Sequence, residues 1–532
     1  MSIAVEEWRV ALGADKVDDS PATLDRYART TQPSATRPCC VLFPSTTKEV
    51  QTVVRIASDH RTVVYPISRG RNWGYGDACA PTNGAAIVDL GRMNRILEVN
   101  TELAYTVIEP GVTQGQLNSY LKDNRTGLWM DCTGAGPEAS LVGNTLDRGF
   151  GHTRYGDHVS TTCGMEIVLA DGRVLNTGFG HYSNAKASRV YSYGIGPSLD
   201  GLFCQSNFGI VTKIGLWLSP APEAFNFFFV KLADDGDIVS FVDRLRPLRM
   251  SGVVQSAVHI GNDYRIFSSR GQYPWKMTNG ATPLPQDVRR QLRESYGLGA
   301  WNVAGAVTGT KAHVRASRKA VRDALRGLGN MRFVSDKELD FAARAFGLLS
   351  KFGIGRGTAS FITSAKPVLA AAMGVPAEQP IRGTYWRLRH EPPKDVNDPI
   401  EAGAGVMWVS PVLPMRGEDA RRVMQIAEPI FASHGFEPMT TFTMITERSM
   451  VAVLNVYFDK REESETRQAE ECHHALVEAL VKEGYIPYRA GLSTMPMIVH
   501  DGDVFWEVAA QIKQSLDPGD IISRGRYLPP QQ

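Results

Sequence analysis

The spacing of apolar and polar residues predicts helices and strands that follow one another closely in the first part of the chain. Residues 46–60 place apolar side chains at positions i, i+3, i+4 and i+7, and Thr46 with Glu49 has capping-box spacing, which predicts an amphipathic helix. The β-branched run at 62–67 predicts a strand. That strand leads into a loop at 68–76 that is rich in glycine and arginine.

Strands and helices continue to alternate along the chain, and beyond about residue 220 the predicted helices become longer. Further strands are predicted at 85–90, 105–109 and 165–169, with a helix at 113–122, while residues 131–215 are rich in glycine. Beyond about residue 220 the pattern predicts longer helices at 316–327 and 418–434, a strand at 451–458, and surface loops at 271–285 and 390–404. The pattern indicates an α+β protein with two domains and a boundary near 217–224.

Composition narrows the class of protein. The 532 residues hold 43% hydrophobic and 21% charged residues with a formal charge of +2, which gives no sign of a nucleic-acid or membrane partner. Seven cysteines without a C-x-x-C pair predict neither a disulfide framework nor a zinc site. We see no secretory signal and no run of about 18 apolar residues, so we expect a cytoplasmic protein.

The glycine-rich loop is the first candidate for chemistry. Glycines at 70, 74 and 76 leave backbone N–H groups open to a phosphate, and Arg69 and Arg71 add positive charge. Neither G-x-G-x-x-G nor G-x-x-x-x-G-K-[ST] occurs, which disfavours a Rossmann or P-loop site. By itself the loop could equally be a structural turn with solvated arginines.

A set of segments in a fixed order carries a family resemblance. They read P-I-S-R-G-R-N-W-G-Y-G, D-L-G-R-M-N-R-I-L-E-V-N, V-G-N-T-L-D-R-G-F-G-H-T-R-Y-G-D-H, C-Q-S-N-F-G-I-V-T-K-I-G, M-W-V-S-P, G-Y-I-P-Y-R and D-P-G-D-I-I. Together they resemble the vanillyl-alcohol oxidase / p-cresol methylhydroxylase family of FAD flavoproteins over nearly the whole chain. The resemblance implies a PCMH-type FAD-binding domain at 1–218 completed by 488–532, and a cap domain at 219–487 built on an antiparallel sheet flanked by helices.

The resemblance also implies a set of FAD-binding residues, with the pyrophosphate on the loop at 68–75. Ordinary turn chemistry is the alternative for the glycine and asparagine members of this set. The implied residues are Ser68, Arg69, Gly70, Arg71, Asn72, Trp73, Gly74, Pro110, Gly111, Gly143, Asn144, Gly149, Asn207, Gly209, Ile210, Val211 and Arg526.

Tyr75, Tyr488 and Arg489 match the positions at which the family binds a phenol. A phenol with a pKa near 10 becomes a good hydride donor once it ionises, and hydride transfer to flavin N5 then leaves a quinone methide. Two hydroxyls and a guanidinium stabilise such an anion. The alternatives are a tyrosine that only stacks or packs, and a Tyr-Arg pair on the surface.

The chain departs from the family where relatives bind FAD covalently. Val406 occupies the oxidase-type histidine position, and the hydroxylase-type tyrosine position falls near Asp398. Valine has no nucleophilic atom, so we predict non-covalent FAD.

A second departure concerns the acid/base group near the flavin. Glu138 is the one carboxylate in the loop at 132–139, Thr441 replaces a cap-domain carboxylate, and Met450-Val451 replace paired histidines. His152 is a candidate substrate-side group, whereas Asp157 and His158 are expected to brace the backbone. His473 and His474 are expected on a solvated helix face, and no spacing predicts a metal site.

Three functions remain open from the sequence. The leading one is FAD-dependent oxidation of a para-substituted phenol. The others are oxidation of a non-phenolic alcohol or 2-hydroxy acid, and a flavin-binding partner subunit without catalysis. The electron acceptor is expected to be O₂ or a separate cytochrome c, because the chain lacks C-x-x-C-H. We expect a homodimer or larger homo-oligomer.

Overall fold

The computed structural model describes residues 3–335, 338, 369–395, 397–499 and 502–528. The helices of this part of the chain are α1 (Ile3–Leu12), α2 (Pro21–Tyr27), α3 (Thr47–Asp59), α4 (Gln114–Asp123), α5 (Leu141–Leu146), α6 (Asp237–Met250), α7 (Asp263–Arg270), α8 (Trp275–Thr278), α9 (Gln286–Tyr296), α10 (Lys311–Ala324), α11 (Gln379–Arg382), α12 (Gly417–Ser433), α13 (Glu463–Lys482), α14 (Met495–Ile498) and α15 (Val504–Leu516).

The strands divide into those of the first part of the chain and those beyond residue 224. The first group is β1 (Val17–Asp18), β2 (Cys40–Leu42), β3 (Val64–Ile67), β4 (Ala86–Asp89), β5 (Ile96–Asn100), β6 (Tyr105–Ile108), β7 (Leu128–Trp129), β8 (Thr162–Val168), β9 (Val174–Asn176), β10 (Ile210–Trp217) and β11 (Ser219–Pro220). The second group is β12 (Ala224–Leu232), β13 (Val258–Asn262), β14 (Trp301–Gly309), β15 (Asn330–Ser335), β16 (Ala404–Val409), β17 (Val412–Pro414), β18 (Met439–Met444) and β19 (Ser449–Asp459).

The first group of strands forms two principal sheets. A four-stranded sheet has the order β1-β2-β4-β3, in which β4 pairs in parallel with both β2 and β3. A five-stranded antiparallel sheet has the order β5-β6-β10-β8-β9. Helix α3 packs between them through buried Val50, Val53 and Val54, which is the apolar face predicted from its spacing.

The end of the chain returns to the first sheet. Val64 donates a backbone hydrogen bond of 2.8 Å to Ile521, and Ser523 donates one of 2.8 Å back to Val64. Lys513, which is 1% exposed, donates to the carbonyls of Asn207 and Ile522 and to Asp517. A buried ammonium needs such a complete set of acceptors, so this lysine fixes the returning segment in place.

The second group of strands forms one antiparallel sheet with the order β15-β12-β14-β13-β18-β19-β16, and β17 also pairs with β19. One face, which includes Ile260, Phe442 and Leu454, packs in a large apolar core with helices α6, α12 and α13. The opposite face carries polar side chains on β13, β18 and β19 and turns towards the first part of the chain, and we call it the polar face. The predicted α+β, two-domain fold is therefore confirmed, while the domain boundaries given above stay a prediction.

Most predicted elements are present, with instructive differences at their ends. Thr46 caps α3 by accepting a 3.2 Å bond from the Glu49 N–H. Helix α10 begins at Lys311, five residues earlier than predicted, because Thr310 provides an N-cap that the apolar spacing alone does not reveal. The segment at 271–285 was predicted to be a surface loop, but part of it is buried, since Tyr273 and Leu284 lie in the interior.

The expectation that His473 lies on a solvated face is wrong. His473 is 2% exposed and sits in the core side of α13, while His474 beside it is exposed. Burial, together with the neighbouring His474, lowers the pKa of His473 to about 4. The helix buries the stripe that carries Cys472, Leu476 and Leu480, and His473 lies next to that stripe.

We predict that His473 makes the fold sensitive to acid. Because its pKa is 6.5 when unfolded and about 4 when folded, the unfolded chain binds the extra proton between these values, so stability falls as pH falls through this window. His473→Leu should reduce the loss in free energy of unfolding between pH 7 and 4.5 by about 2 kcal/mol, measured by urea denaturation. His474→Leu is the matched control, and equal pH dependence in both variants would refute the prediction.

Candidate functional site

A cleft opens beside the glycine-rich loop that follows β3. Its wall comes from that loop, from α5, from the residues before and at the start of β10, and from the C-terminal segment. Eleven of the residues that the resemblance implies for FAD line it, namely Ser68, Arg69, Gly70, Arg71, Asn72, Gly143, Asn144, Gly209, Ile210, Val211 and Arg526.

The loop carries N–H donors that have no hydrogen-bond acceptor in the described chain. The main-chain N–H groups of residues 69–73 have no acceptor among the described residues. Arg526 is 5% exposed, and its Nη1 is likewise without a partner. A buried donor is nearly always hydrogen-bonded, so Arg526 Nη1, together with the free N–H groups of the loop, indicates an anionic ligand of the phosphate type.

The remaining predicted FAD residues lie behind the cleft lining, where they support its walls. They are Trp73, Gly74, Pro110, Gly111, Gly149 and Asn207. Gly74 has φ of 77°, and a Cβ there would come within 2.0 Å of the Trp408 ring. The Trp408 Nε1 in turn donates to the Trp73 carbonyl at 2.8 Å. Glycine at this position therefore lets β16 pack directly on the loop.

The structure brings Tyr75, Tyr488 and Arg489 together although 413 residues separate the two tyrosines. The Arg489 guanidinium carbon lies 4.3 Å from the centre of the Tyr75 ring. The Tyr75 hydroxyl is 2.9 Å from the Ser410 Oγ, and the Tyr488 N–H donates to the Ser410 carbonyl at 3.1 Å. Ser410, between β16 and β17, thus connects both tyrosines to the edge of the large sheet.

Asp147 holds the arginines of the site. Its carboxylate accepts from Arg489 at 2.6 Å and from Arg526 at 3.2 Å, and it also accepts from the Tyr527 hydroxyl. Burial alone would raise the pKa of Asp147, but the two guanidiniums outweigh it, and that pKa is lowered. Two cations around one anion leave the cluster with a net positive charge, which favours an anionic ligand.

Both tyrosine hydroxyls remain protonated at neutral pH. Burial raises the pKa of Tyr75, and the neighbouring Tyr488 adds to the effect, while Arg489 and the bond to Ser410 oppose it. Burial also raises the pKa of Tyr488, against the opposing influence of Arg489. Each hydroxyl can therefore still donate a hydrogen bond, and Arg489 stays cationic beside the Tyr75 ring.

The polar face of the large sheet carries further unpaired groups. His259, Thr443 and Asn455 share this face by the pairing of β13, β18 and β19. Asn455 is 2% exposed, and neither its Oδ1 nor its Nδ2 has a partner among the described residues. The Tyr457 hydroxyl is also buried without a partner. Each such group costs about 1–3 kcal/mol, so this face is built to meet a ligand or water.

His152 and His158 occupy different environments. His158 is buried between Asn144 at 2.7 Å and Asp131 at 2.9 Å, and so braces the turn that follows α5, while Asp157 is exposed. The ring of His152 instead lies 4.5 Å from that of His259, across the boundary between the first part of the chain and the large sheet.

The positions at which the chain departs from the family are also visible. Val406 is fully buried on β16 and pairs with Tyr457, and Asp398 accepts from the Ile400 N–H at 2.9 Å. Glu138 is half-exposed and bonds Arg69 at 3.0 Å, which places it on the outer side of the loop. Thr441 lies on the polar face of β18, opposite Gly261.

Sequence reasoning missed several residues of the site. Asp147 and Ser410 lie inside two of the segments that carry the family resemblance, V-G-N-T-L-D-R-G-F-G-H-T-R-Y-G-D-H and M-W-V-S-P, and these segments are the signal that could have found them. His259 and Asn455 lie in strand runs with no motif around them. Only the pairing of the strands shows that these side chains face the site.

In the described part of the chain, no three His, Cys, Asp or Glu side chains converge as a metal site would need. All seven cysteines are free thiols. No helix among the described residues has both the length and the apolar character to cross a bilayer.

Comparison with known proteins identifies similar chains. A family model described as an FAD binding domain matches residues 38–178. The 1'-carboxy-chondrochloren decarboxylase of Chondromyces crocatus is 35% identical over 98% of this chain and 96% of its own. The 4-cresol dehydrogenase [hydroxylating] flavoprotein subunit of Pseudomonas putida is 33% identical over 98% of this chain and 94% of its own.

The fold has a solved counterpart. The crystal structure of p-cresol methylhydroxylase with substrate bound superposes with a TM-score of 0.89 and 32% identity, covering 99% of this chain and 96% of that one. FAD is the cofactor that these similarities assign, and the donors of the cleft fit it, because the unpaired N–H groups of residues 69–73 and Arg526 Nη1 suit a pyrophosphate.

We predict that Arg526 contributes directly to FAD affinity. Arg526→Met should raise the Kd for FAD by about 10- to 100-fold, because a buried charge-assisted bond is lost. The measurement is fluorescence titration of apoprotein with FAD. Arg524→Met is the matched control, since Arg524 bonds Asp520 near the surface. Equal FAD affinity in both variants would contradict the role given to Arg526.

Proposed function

Because this chain belongs to the vanillyl-alcohol oxidase / p-cresol methylhydroxylase family of FAD-dependent oxidoreductases, we propose that its substrate is a para-substituted phenol. Bound FAD would supply the hydride acceptor. The chain's own residues would bind the phenol oxygen, fix the ring and exclude water.

The observation that carries this proposal is the convergence of Tyr75, Tyr488 and Arg489. A phenol has a pKa of about 10, so the site must stabilise its anion for the ring to release a hydride at neutral pH. Two protonated hydroxyls and the fixed cation of Arg489 would do so in a buried setting, where charge-assisted bonds are strong. The phenolate charge then moves to the para carbon, and loss of hydride from the side chain gives a quinone methide.

The fate of this quinone methide depends on the para end of the site. There the polar face of the sheet offers Thr441, Thr443 and His259, together with His152 from the first part of the chain, and none of these is a carboxylate. Addition of water would give a hydroxylated product, and further oxidation would give an aldehyde or ketone. Loss of a proton from the next carbon would give an alkene.

Loss of carbon dioxide is a second candidate outcome, supported by the full-length similarity to a decarboxylase. A carboxylate on the carbon next to the oxidised one would leave as CO₂, and the electron pair of the broken C–C bond would restore the aromatic phenolate. The absence of acidic groups among His152, His259, Thr441 and Thr443 favours a substrate that carries its own carboxylate. Asp131, nearby, is engaged by His158 and by the N–H groups of His152 and Thr153.

The electron acceptor is proposed to be O₂ or a separate cytochrome c. The relative from Pseudomonas putida is named a flavoprotein subunit, which supports a partner chain for that protein. Mixing anaerobically reduced enzyme with air separates the two acceptors, because an oxidase is reoxidised within its turnover time. Homodimer formation and cytoplasmic location stay predictions.

We predict that Tyr75→Phe and Tyr488→Phe each lower kcat/KM for a 4-alkylphenol by on the order of 100-fold, since each removes one donor to the developing anion. The measurement is anaerobic bleaching of the flavin in stopped flow. Tyr485→Phe is the matched control, because the Tyr485 hydroxyl bonds Asp419 and neither residue lines the cleft.

The same variants test the alternatives from the sequence. Unchanged turnover of a 2-hydroxy acid or non-phenolic alcohol in both variants would show that the substrate is not a phenol. If no phenol or alcohol bleaches the flavin of the wild-type protein, a non-catalytic flavin-binding subunit becomes the better description.

We predict that FAD is bound non-covalently, because Val406 offers no nucleophile at the position where oxidase-type relatives carry histidine. Acid precipitation should release all the yellow colour into the supernatant, measured by absorbance. Colour retained in the pellet would refute this. The peptides to examine first would then contain Tyr385 and Tyr457, whose hydroxyls are buried without partners.

A further inference from the structure

Two imidazoles meet where the first part of the chain faces the large sheet. His152 comes from the turn after α5, and His259 comes from β13. Their ring centres are 4.5 Å apart, and the planes are inclined by 45°. The pair is thus made by two units of the fold and forms only when they close on each other.

Three of the four ring nitrogens have no hydrogen bond within the described chain. His259 Nδ1 pairs with Thr443 Oγ1 at 3.0 Å, whereas its Nε2 is buried without a partner. His152 Nδ1 is also buried without a partner. No described group bonds His152 Nε2 either. Apolar packing would not require histidine twice at one contact, and unsatisfied buried nitrogens oppose folding, so this pair needs another explanation.

The pair lies on the same sheet face as the phenol-binding residues, but at a distance from them. Ser410, which contacts Tyr75, lies between β16 and β17, and both of these strands pair with β19. From there β18 and then β13 follow in the sheet, so three strand spacings, about 14 Å in all, separate Ser410 from His259. A ring that is anchored by its oxygen at Tyr75 and lies along this face would bring its para side chain towards the histidines.

Both histidines are neutral at the pH of the cell. Burial lowers the pKa of His152, with His158 adding to the effect and Asp131 opposing it. Burial also places the pKa of His259 well below its usual range, and His152, Arg265 and Arg249 act in the same direction against Asp131. Neutral imidazoles can donate one hydrogen bond and accept another, so the pair can bind a hydroxyl or a carboxylate.

We propose that His152 and His259 together bind an oxygen on the para side chain of the substrate. The inference rests on the proposed function for its orientation, and it deepens that function by stating the substrate class, which is a phenol whose para side chain ends in a hydroxyl or carboxyl group. Thr443 bonds His259 Nδ1 and so fixes the ring of His259. The His152 N–H donates to the Asp131 carboxylate at 3.0 Å, and this bond fixes the position of His152.

The test uses ligand binding to holoenzyme that has been reduced under anaerobic conditions, because reduced flavin cannot accept a hydride and the ligand stays intact. The probes are 4-ethylphenol, 4-(2-hydroxyethyl)phenol and 3-(4-hydroxyphenyl)propanoate, measured by equilibrium dialysis. They share the phenol and differ in the oxygen at the end of the side chain. In the wild-type enzyme at least one oxygen-bearing probe should bind about tenfold more tightly than 4-ethylphenol.

Variants then assign this preference to the pair. His152→Phe and His259→Phe should remove the tenfold preference and leave 4-ethylphenol affinity within about twofold. His474→Phe is the control on a solvated surface. If the histidine variants lose the preference only for 3-(4-hydroxyphenyl)propanoate, the substrate side chain carries a carboxyl group. If they lose it only for 4-(2-hydroxyethyl)phenol, the side chain carries a hydroxyl group. An equal loss for all three probes, or no preference in the wild-type enzyme, overturns the proposal even if a variant folds poorly.

Tyr75→Phe separates this inference from the proposed function. If the phenol proposal is right, this variant weakens all three probes equally and keeps their ratio. If Tyr75→Phe leaves every affinity unchanged while the histidine variants abolish the preference, the phenol proposal fails and the pair still binds the oxygen.

Discussion

The buried carboxylate of Asp147 is the interaction on which the rest of the site depends. It lies at the end of α5 and contacts Arg489, Arg526 and Asn72, which come from three segments far apart in the sequence. A carboxylate this enclosed is stable only because it is paired on several sides. Its pairing in turn fixes Arg489 over the Tyr75 ring and fixes Arg526 in the wall of the cleft. One anion thus sets the position of the groups assigned to cofactor and substrate.

The sheet edge supplies the second constraint. Ser410 bonds Tyr75 by its side chain and Tyr488 by its backbone, and Pro411 bridges to Pro487. The segment that carries Tyr488 and Arg489 is therefore attached to the sheet and does not depend on loop packing alone. Groups held on regular structure keep their geometry better than groups on free loops, which suits the phenol binding proposed for Tyr75, Tyr488 and Arg489.

Much of this could be predicted from the sequence, because the motifs are local. The cap of α3, the glycine-rich loop and the Tyr488-Arg489 pair are all read from short segments. The partners of these groups could not be read in the same way. His259 and Asn455 lie in strands that look like ordinary sheet, and their role depends on which strands become neighbours. His473 was misread because the polar composition of α13 hides how far its apolar stripe extends.

The return of the C-terminal segment to β3 has a consequence for biosynthesis. Ile521 and Ser523 complete the edge of a sheet whose other strands are made within the first 90 residues, and Arg526 follows directly. The nascent chain must therefore keep that edge open while more than 400 further residues emerge from the ribosome. A chain cut before Ile521 would lack the wall of the cleft that Ser523, Arg526 and Tyr527 form. The cleft thus joins segments that are synthesised more than 400 residues apart, and its completion waits on the later one.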